Sequence, residues 1–182
     1  MYDHTNNYDM SQRIGKGMIA GAWLVVLGGF TFFFNEWLEH QHNPNRVVAS
    51  AVTTDGSREV FLRQNRAGHY VSTGYINGDE VEFLVDTGAS DVAIPANVAE
   101  RLDLPKGQPI RYQTANGTVT GYTTVIDRIE LGDIVLHDVR AGITPASSSE
   151  EILLGMTFLR HLEFAQRGEM LTLRQPALAA GF

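Results

Sequence analysis

Phe83-Leu84-Val85-Asp86-Thr87-Gly88-Ala89-Ser90 runs three apolar residues into a single carboxylate and then into a glycine-bearing turn. Asp91-Val92-Ala93-Ile94-Pro95 follows and reads as a second short strand. A strand that is apolar on both faces, as Phe83 to Val85 is, is expected to be covered on both sides. The carboxylate it delivers then starts out desolvated, and a buried charge needs hydrogen-bond donors or a partner that shares a proton. Gly88 permits a tight turn that brings backbone amides to Asp86 and leaves room for a substrate, while Thr87 supplies a hydroxyl. Asp-Thr-Gly by itself is also an ordinary way to end a strand; the apolar run before it and the returning strand after it favour a functional carboxylate.

Outward from this segment, the chain from Arg58 onward is a series of short apolar or alternating runs. They break at Ala67-Gly68, Asn77-Gly78, Asn116-Gly117, Gly132-Asp133 and Arg167-Gly168. Strands are predicted near 59–64, 69–77, 80–86, 91–94, 109–115, 118–131, 134–143, 151–154 and 169–174. Two short helices, 96–102 after Pro95 and 156–162 after Gly155, interrupt them. The fold class is all-β with two short helices. Tyr112-Gln113-Thr114-Ala115-Asn116-Gly117-Thr118 joins two of the strands through Asn116-Gly117, a strong short-range hairpin signal.

Phe83 to Ser90 resembles the active-site segment of retropepsin-like aspartic proteases, and Ile152-Leu153-Leu154-Gly155-Met156 resembles their second apolar-apolar-glycine element, in matching order and separation. The resemblance covers roughly residues 58–174 and is nearest to bacterial membrane-anchored members of that group. It implies a single acid-protease lobe with Asp86 as the catalytic residue and Thr87, Gly88, Ala89 and Ser90 as its supporting loop. Leu154 and Gly155 are implied as a buttress behind that loop. The hairpin carrying Tyr112, Thr114, Ala115, Asn116 and Gly117 stands where the family has its flap, over a peptide substrate.

Peptide hydrolysis by carboxylates needs one group to take a proton from water and another to give one to the carbonyl oxygen. Asp-Thr-Gly occurs once in the sequence and Asp-Ser-Gly never, so the second aspartate is expected from another chain. A homodimer with a two-fold axis between two Asp86 residues supplies it. Ala89 has no side-chain donor for Asp86, which predicts an acid-shifted but not extreme pH optimum.

The N-terminal third is different. Met18 to Phe34 holds seventeen residues without a charge, at the short end for a bilayer-crossing helix, and Trp37 and Leu38 extend it into the interface. A signal peptide would place small residues soon after its apolar region. The best such site, Ala49-Ser50-Ala51, lies far downstream of Glu36 and Glu39, so a retained anchor is expected. Arg13 and Lys16 precede the span and only Arg46 follows closely, which puts the N-terminus in the cytoplasm. The expected organisation is a cytoplasmic tail 1–17, a transmembrane anchor 18–38, a linker or stalk 39–57 and a protease domain 58–182. The chain would be single-pass in the inner membrane with its C-terminal domain in the periplasm or outside.

The net charge of −7 and the scattered arginines argue against nucleic acid. The absence of cysteine excludes disulfides and thiolate chemistry. No histidine pair has the i, i+4 spacing of a helical zinc hydrolase site, so no metal and no cofactor are expected. The competing function is a non-catalytic peptide-binding or dimerising scaffold on a protease-like fold.

Overall fold

Asn77 and Gly78 have φ of 53° and 95°, the double left-handed geometry of a type I′ hairpin. They join β3 (Val71–Ile76) to β4 (Asp79–Val85) in the computed structural model, which describes residues 6–114, 117–145 and 149–177. The chain divides into two compact units, Met1–Gln41 and His42–Phe182.

The first unit is formed by the helix α1 (Asn6–His42), all but its last residue, His42; the helix has 37 residues and so is about 55 Å long at the usual rise. Its window Gly21–Leu38 has a mean hydropathy of 1.2 and, by length and composition, could cross a membrane. Leu24, Phe30 and Phe32 along it are all exposed.

The second unit holds β1 (Ala49–Val52), β2 (Arg58–Arg63), β3, β4, β5 (Val92–Pro95), α2 (Ala96–Arg101), β6 (Pro109–Thr114), β7 (Gly117–Leu131), β8 (Ile134–Thr144), β9 (Ile152–Leu154), α3 (Met156–Leu159), β10 (Glu163–Arg167) and β11 (Met170–Gln175). Seven strands form one sheet in the order β3-β4-β9-β5-β8-β7-β6, and β3 also pairs with β7, which brings its two flanks together. Gly74 makes that meeting possible, because a methyl there would stand 2.5 Å from both the Glu130 carbonyl oxygen and the Phe83 ring. The other four strands form an antiparallel sheet in the order β1-β2-β11-β10. Between and behind them lie fully buried Leu62, Phe83, Ile94, Ile126, Ile129, Ile152, Leu154 and Phe158, so the apolar alternation of the sequence does become one core.

Three features differ from the sequence reading. The expected linker 39–57 is partly folded: β1 pairs with β2 from Ala49↔Phe61 to Val52↔Arg58, and Asn43, Asn45 and Ser57 are buried. Asn45 ties β2 to β3. Its side chain accepts from Arg63 N at 2.7 Å and donates to the carbonyls of Arg63 at 2.9 Å and Val71 at 2.7 Å. β10 was not expected at all. Finally, β4 is buried on alternate residues, with Val81 and Phe83 inside and Leu84 and Val85 half-buried, rather than covered on both faces.

Candidate active site

β4 ends at Val85 and β5 begins at Val92, and the loop between them carries Asp86. β9 is inserted between these two strands, parallel to β4 through Phe83↔Ile152, Leu84↔Leu153 and Val85↔Leu154, and antiparallel to β5 at Ala93↔Leu153. The Ile152-Leu153-Leu154 run fits there because Ile152 and Leu154 are fully buried. The loop is therefore clamped from behind. Asp86 N donates to the Leu154 carbonyl at 3.2 Å, Met156 N to the Ala89 carbonyl at 2.9 Å and Thr157 N to the Ser90 carbonyl at 3.2 Å.

Within the loop, Gly88 N donates to Asp86 Oδ1 at 2.8 Å and Ala89 N to the Asp86 carbonyl at 3.2 Å. Asp86 and Ala89 are half-buried, while Thr87, Gly88 and Ser90 are exposed. The carboxylate is thus fixed in direction by an amide donor and still open to solvent on one side, the arrangement a reacting carboxylate needs.

Gly155 is required by space. A methyl there would be 2.6 Å from the Ala89 carbonyl oxygen and nearer still to that of Asp91. Thr157 is a residue the sequence reading missed: its hydroxyl accepts from Val92 N at 2.8 Å, so it holds the exit of the loop while its own N–H holds Ser90. A hydroxyl in the first turn after Gly155 was the one available signal.

The predicted hairpin is present as β6 and β7, in register from Pro109↔Tyr122 to Thr114↔Gly117. The pairing closes one residue earlier than expected. Gly117, with φ 112°, opens the return strand, and the residues between the strands are Ala115 and Asn116, which lie outside the described residues. Thr114 belongs to β6. Tyr112 lies midway along the hairpin, opposite Val119, its ring against Gly142 and Gly121, where methyl groups would stand 2.5 Å from Cζ and 3.0 Å from Cε2. Burial, reinforced by the Asp91 carboxylate and opposed by Arg140, pushes the Tyr112 phenol above its ordinary value.

Of groups that could hold a metal, the structure brings together three that no sequence spacing revealed. His42 Nε2 lies 2.7 Å from Glu151 Oε1 and 3.4 Å from Glu82 Oε2, with Asn43 donating to Glu82 Oε1 at 2.8 Å. The two glutamates are neighbours because β4 and β9 run in parallel register immediately beyond them, and the imidazole between them relieves two like charges when protonated.

Residues 72–161 match the family model described as "gag-polyprotein putative aspartyl protease". An uncharacterised protein encoded in the cobV 5′ region of Sinorhizobium sp is 29% identical over 175 residues, covering 89% of this chain and 75% of that protein. An uncharacterised protein of Rickettsia prowazekii is 28% identical over 118 residues, 63% of this chain and 51% of that protein. Among solved structures, a retropepsin-like aspartic protease from Rickettsia conorii superposes with a TM-score of 0.57 at 24% identity, covering 71% of this chain and 96% of that one. The matched segment spans the strand, loop and buttress around Asp86, and the shared fold is that of a retropepsin lobe: in that segment and in its fold the chain is similar to retropepsin-like aspartic proteases.

Proposed function

We propose that this protein is a membrane-anchored aspartic endopeptidase that hydrolyses peptide bonds between the Asp86 carboxyls of two copies. The observation that supports this most is a single Asp-Thr-Gly whose carboxylate is oriented by Gly88 N–H and whose loop is pinned on both flanks by β9 and α3. In the dimer, two carboxyls about 3 Å apart share one proton, because both cannot ionise at that distance. The ionised group takes a proton from water, whose oxygen bonds to the peptide carbonyl carbon. The protonated group gives its proton to the carbonyl oxygen. As the tetrahedral species collapses, the ionised carboxyl takes a proton from one of its hydroxyls, the C–N bond breaks and the amine leaves with the proton of the other carboxyl, so the dyad again holds one proton.

Leu154 and Gly155 act in this reading by holding the loop, and Thr87 by bridging the two loops. The β6–β7 hairpin covers an extended peptide and excludes water. α1 tethers the dimer in the inner membrane, and the charge bias across the span places the folded domain on the outer side. Confinement to two dimensions raises the effective concentration of partner chains.

The test is incubation of the full-length protein in detergent with a diverse peptide library, with and without pepstatin. Cleavage by the wild type, blocked by pepstatin and lost in Asp86→Asn, is expected. Equal cleavage by Asp86→Asn would overturn the enzyme reading, and peptide binding without cleavage by the wild type would favour the scaffold.

A further inference from the structure

His42, Glu82 and Glu151 come from three distant stretches of sequence and all belong to the second unit. The imidazole Nε2 and one oxygen from each carboxylate lie within 4.8 Å of one another. The oxygens that face His42 are selected from outside this triad. The Asn43 amide donates to Glu82 Oε1 at 2.8 Å and to Thr73 Oγ1 at 3.2 Å, and its own oxygen accepts from Asn45 N at 2.9 Å. Asn43 is 2% exposed, so this buried amide fixes Glu82 Oε1 and turns Oε2 towards His42 at 3.4 Å. The Ser149 hydroxyl, which accepts from Glu151 N, donates to Glu151 Oε2 at 3.3 Å and leaves Oε1 for His42 at 2.7 Å. Outer hydrogen bonds of this kind, which commit one oxygen of each carboxylate and aim the other at a shared point, are how proteins orient metal ligands.

Charge and access point the same way. Two carboxylates and an imidazolium leave one negative charge over, whereas two carboxylates, a neutral imidazole and a divalent ion are balanced. Asn43 and Glu82 also line a cavity of about 510 Å³, where Glu80 and Glu150 add two carboxylates against the guanidiniums of Arg46 and Arg101. A cation therefore has an open and net negative way in.

We propose that His42 Nε2, Glu82 Oε2 and Glu151 Oε1 bind one divalent transition ion of the zinc type. One imidazole nitrogen with two carboxylate oxygens suits Zn²⁺ better than Mg²⁺ or Ca²⁺, which favour all-oxygen shells. Three protein donors leave the fourth tetrahedral position to water. Donors around an ion at ~2.1 Å stand about 3.4 Å apart. His42 and Glu82 already have that separation, and Glu151 has only to withdraw by about 0.7 Å. The ion displaces the proton that His42 holds when charged. Phe83↔Ile152 is the next pair of the parallel register, so the ion staples β4 to β9 four residues before Asp86.

The test is calorimetric titration of Zn²⁺ into the full-length protein in detergent after chelation, with Mg²⁺ in parallel. One Zn²⁺ per chain is expected, and no Mg²⁺ at the same concentration. His42→Ala and Glu151→Gln should each weaken Zn²⁺ at least about tenfold. His137→Ala, which removes an exposed imidazole on β8 outside the triad, should leave the affinity unchanged. Zn²⁺ should also slow hydrogen exchange in peptides covering β4 and β9 of the wild type, and not of His42→Ala. No binding by the wild type, equal affinity in His42→Ala, or Mg²⁺ bound as tightly as Zn²⁺ would overturn the assignment. Each readout is taken without substrate, so the outcome is separate from that of the two-chain active site.

Discussion

Replacing Gly155 with alanine drives a methyl group into the back of the loop that carries Asp86. It would stand 2.6 Å from the Ala89 carbonyl oxygen and closer to that of Asp91, where contacts under 3.0 Å are essentially never found. One side has to retreat by at least ~0.4 Å at Ala89 and by more at Asp91 in an interior packed this closely. β9 cannot yield readily, because it is hydrogen-bonded to β4 and β5 and its Ile152 and Leu154 are fully buried. The loop moves instead, and the bonds from Met156 N to Ala89 and from Thr157 N to Ser90 lengthen. Overpacking costs about 1–3 kcal/mol and two weakened hydrogen bonds about 1 kcal/mol each, so Gly155→Ala should lose about 3–5 kcal/mol. That is a large share of a domain's stability. Both tryptophans, Trp23 and Trp37, lie in α1, so their emission cannot follow the domain. Hydrogen exchange by mass spectrometry under increasing denaturant does, read on peptides covering β4 and β9. Gly88→Ala is the comparison, since its methyl meets only Asp86 Oδ1 at 3.1 Å, and it should cost under about 1 kcal/mol. Gly155→Ala with wild-type exchange protection would refute the wedge.

Asn45→Ala removes the side chain that serves Arg63 N, Arg63 O and Val71 O; it should cost about 3 kcal/mol in chemical denaturation, and a loss under ~1 kcal/mol would mean water replaces it. Gly142→Ala puts a methyl into the Tyr112 ring, so limited proteolysis should cut the β6–β7 hairpin faster than in wild type, and an unchanged rate would show that the ring does not brace the hairpin. The hydroxyl of Thr53, then the N–H and hydroxyl of Ser57, with Arg174 in support, hold the Asp55 carboxyl far below its ordinary 3.8. A carboxyl depressed on folding stabilises above its unfolded value and loses that contribution as pH falls through the folded one. Asp55→Asn should therefore unfold more easily than wild type above about pH 4, with the gap closing on strong acidification; a gap independent of pH would contradict this.

Much of the site was legible because its signals are local. Phe83 to Ser90 and Ile152 to Met156 each state strand, turn and glycine within a few residues, and Asn77-Gly78 fixes its own hairpin through two left-handed residues. What escaped is non-local or unpatterned. β1 and β10 are exposed on every residue, so neither carries the buried alternation by which a strand is recognised. Asn45 is buried through bonds to backbone 18 and 26 residues away, which no spacing rule anticipates. The hairpin turn was expected at Asn116-Gly117 on the strength of that pair, while the register here puts Gly117 at the start of the return strand.

The central claim is that one active site is built from two Asp86 residues. Wild-type and Asp86→Asn chains, mixed at varying ratio in detergent, allowed to exchange and assayed on a cleaved peptide at constant total protein, test it directly. If each site needs a carboxyl from both copies, activity follows the square of the wild-type fraction, about a quarter at an equal mixture. Activity proportional to that fraction, about half at the same point, would mean each chain works alone and would contradict the account.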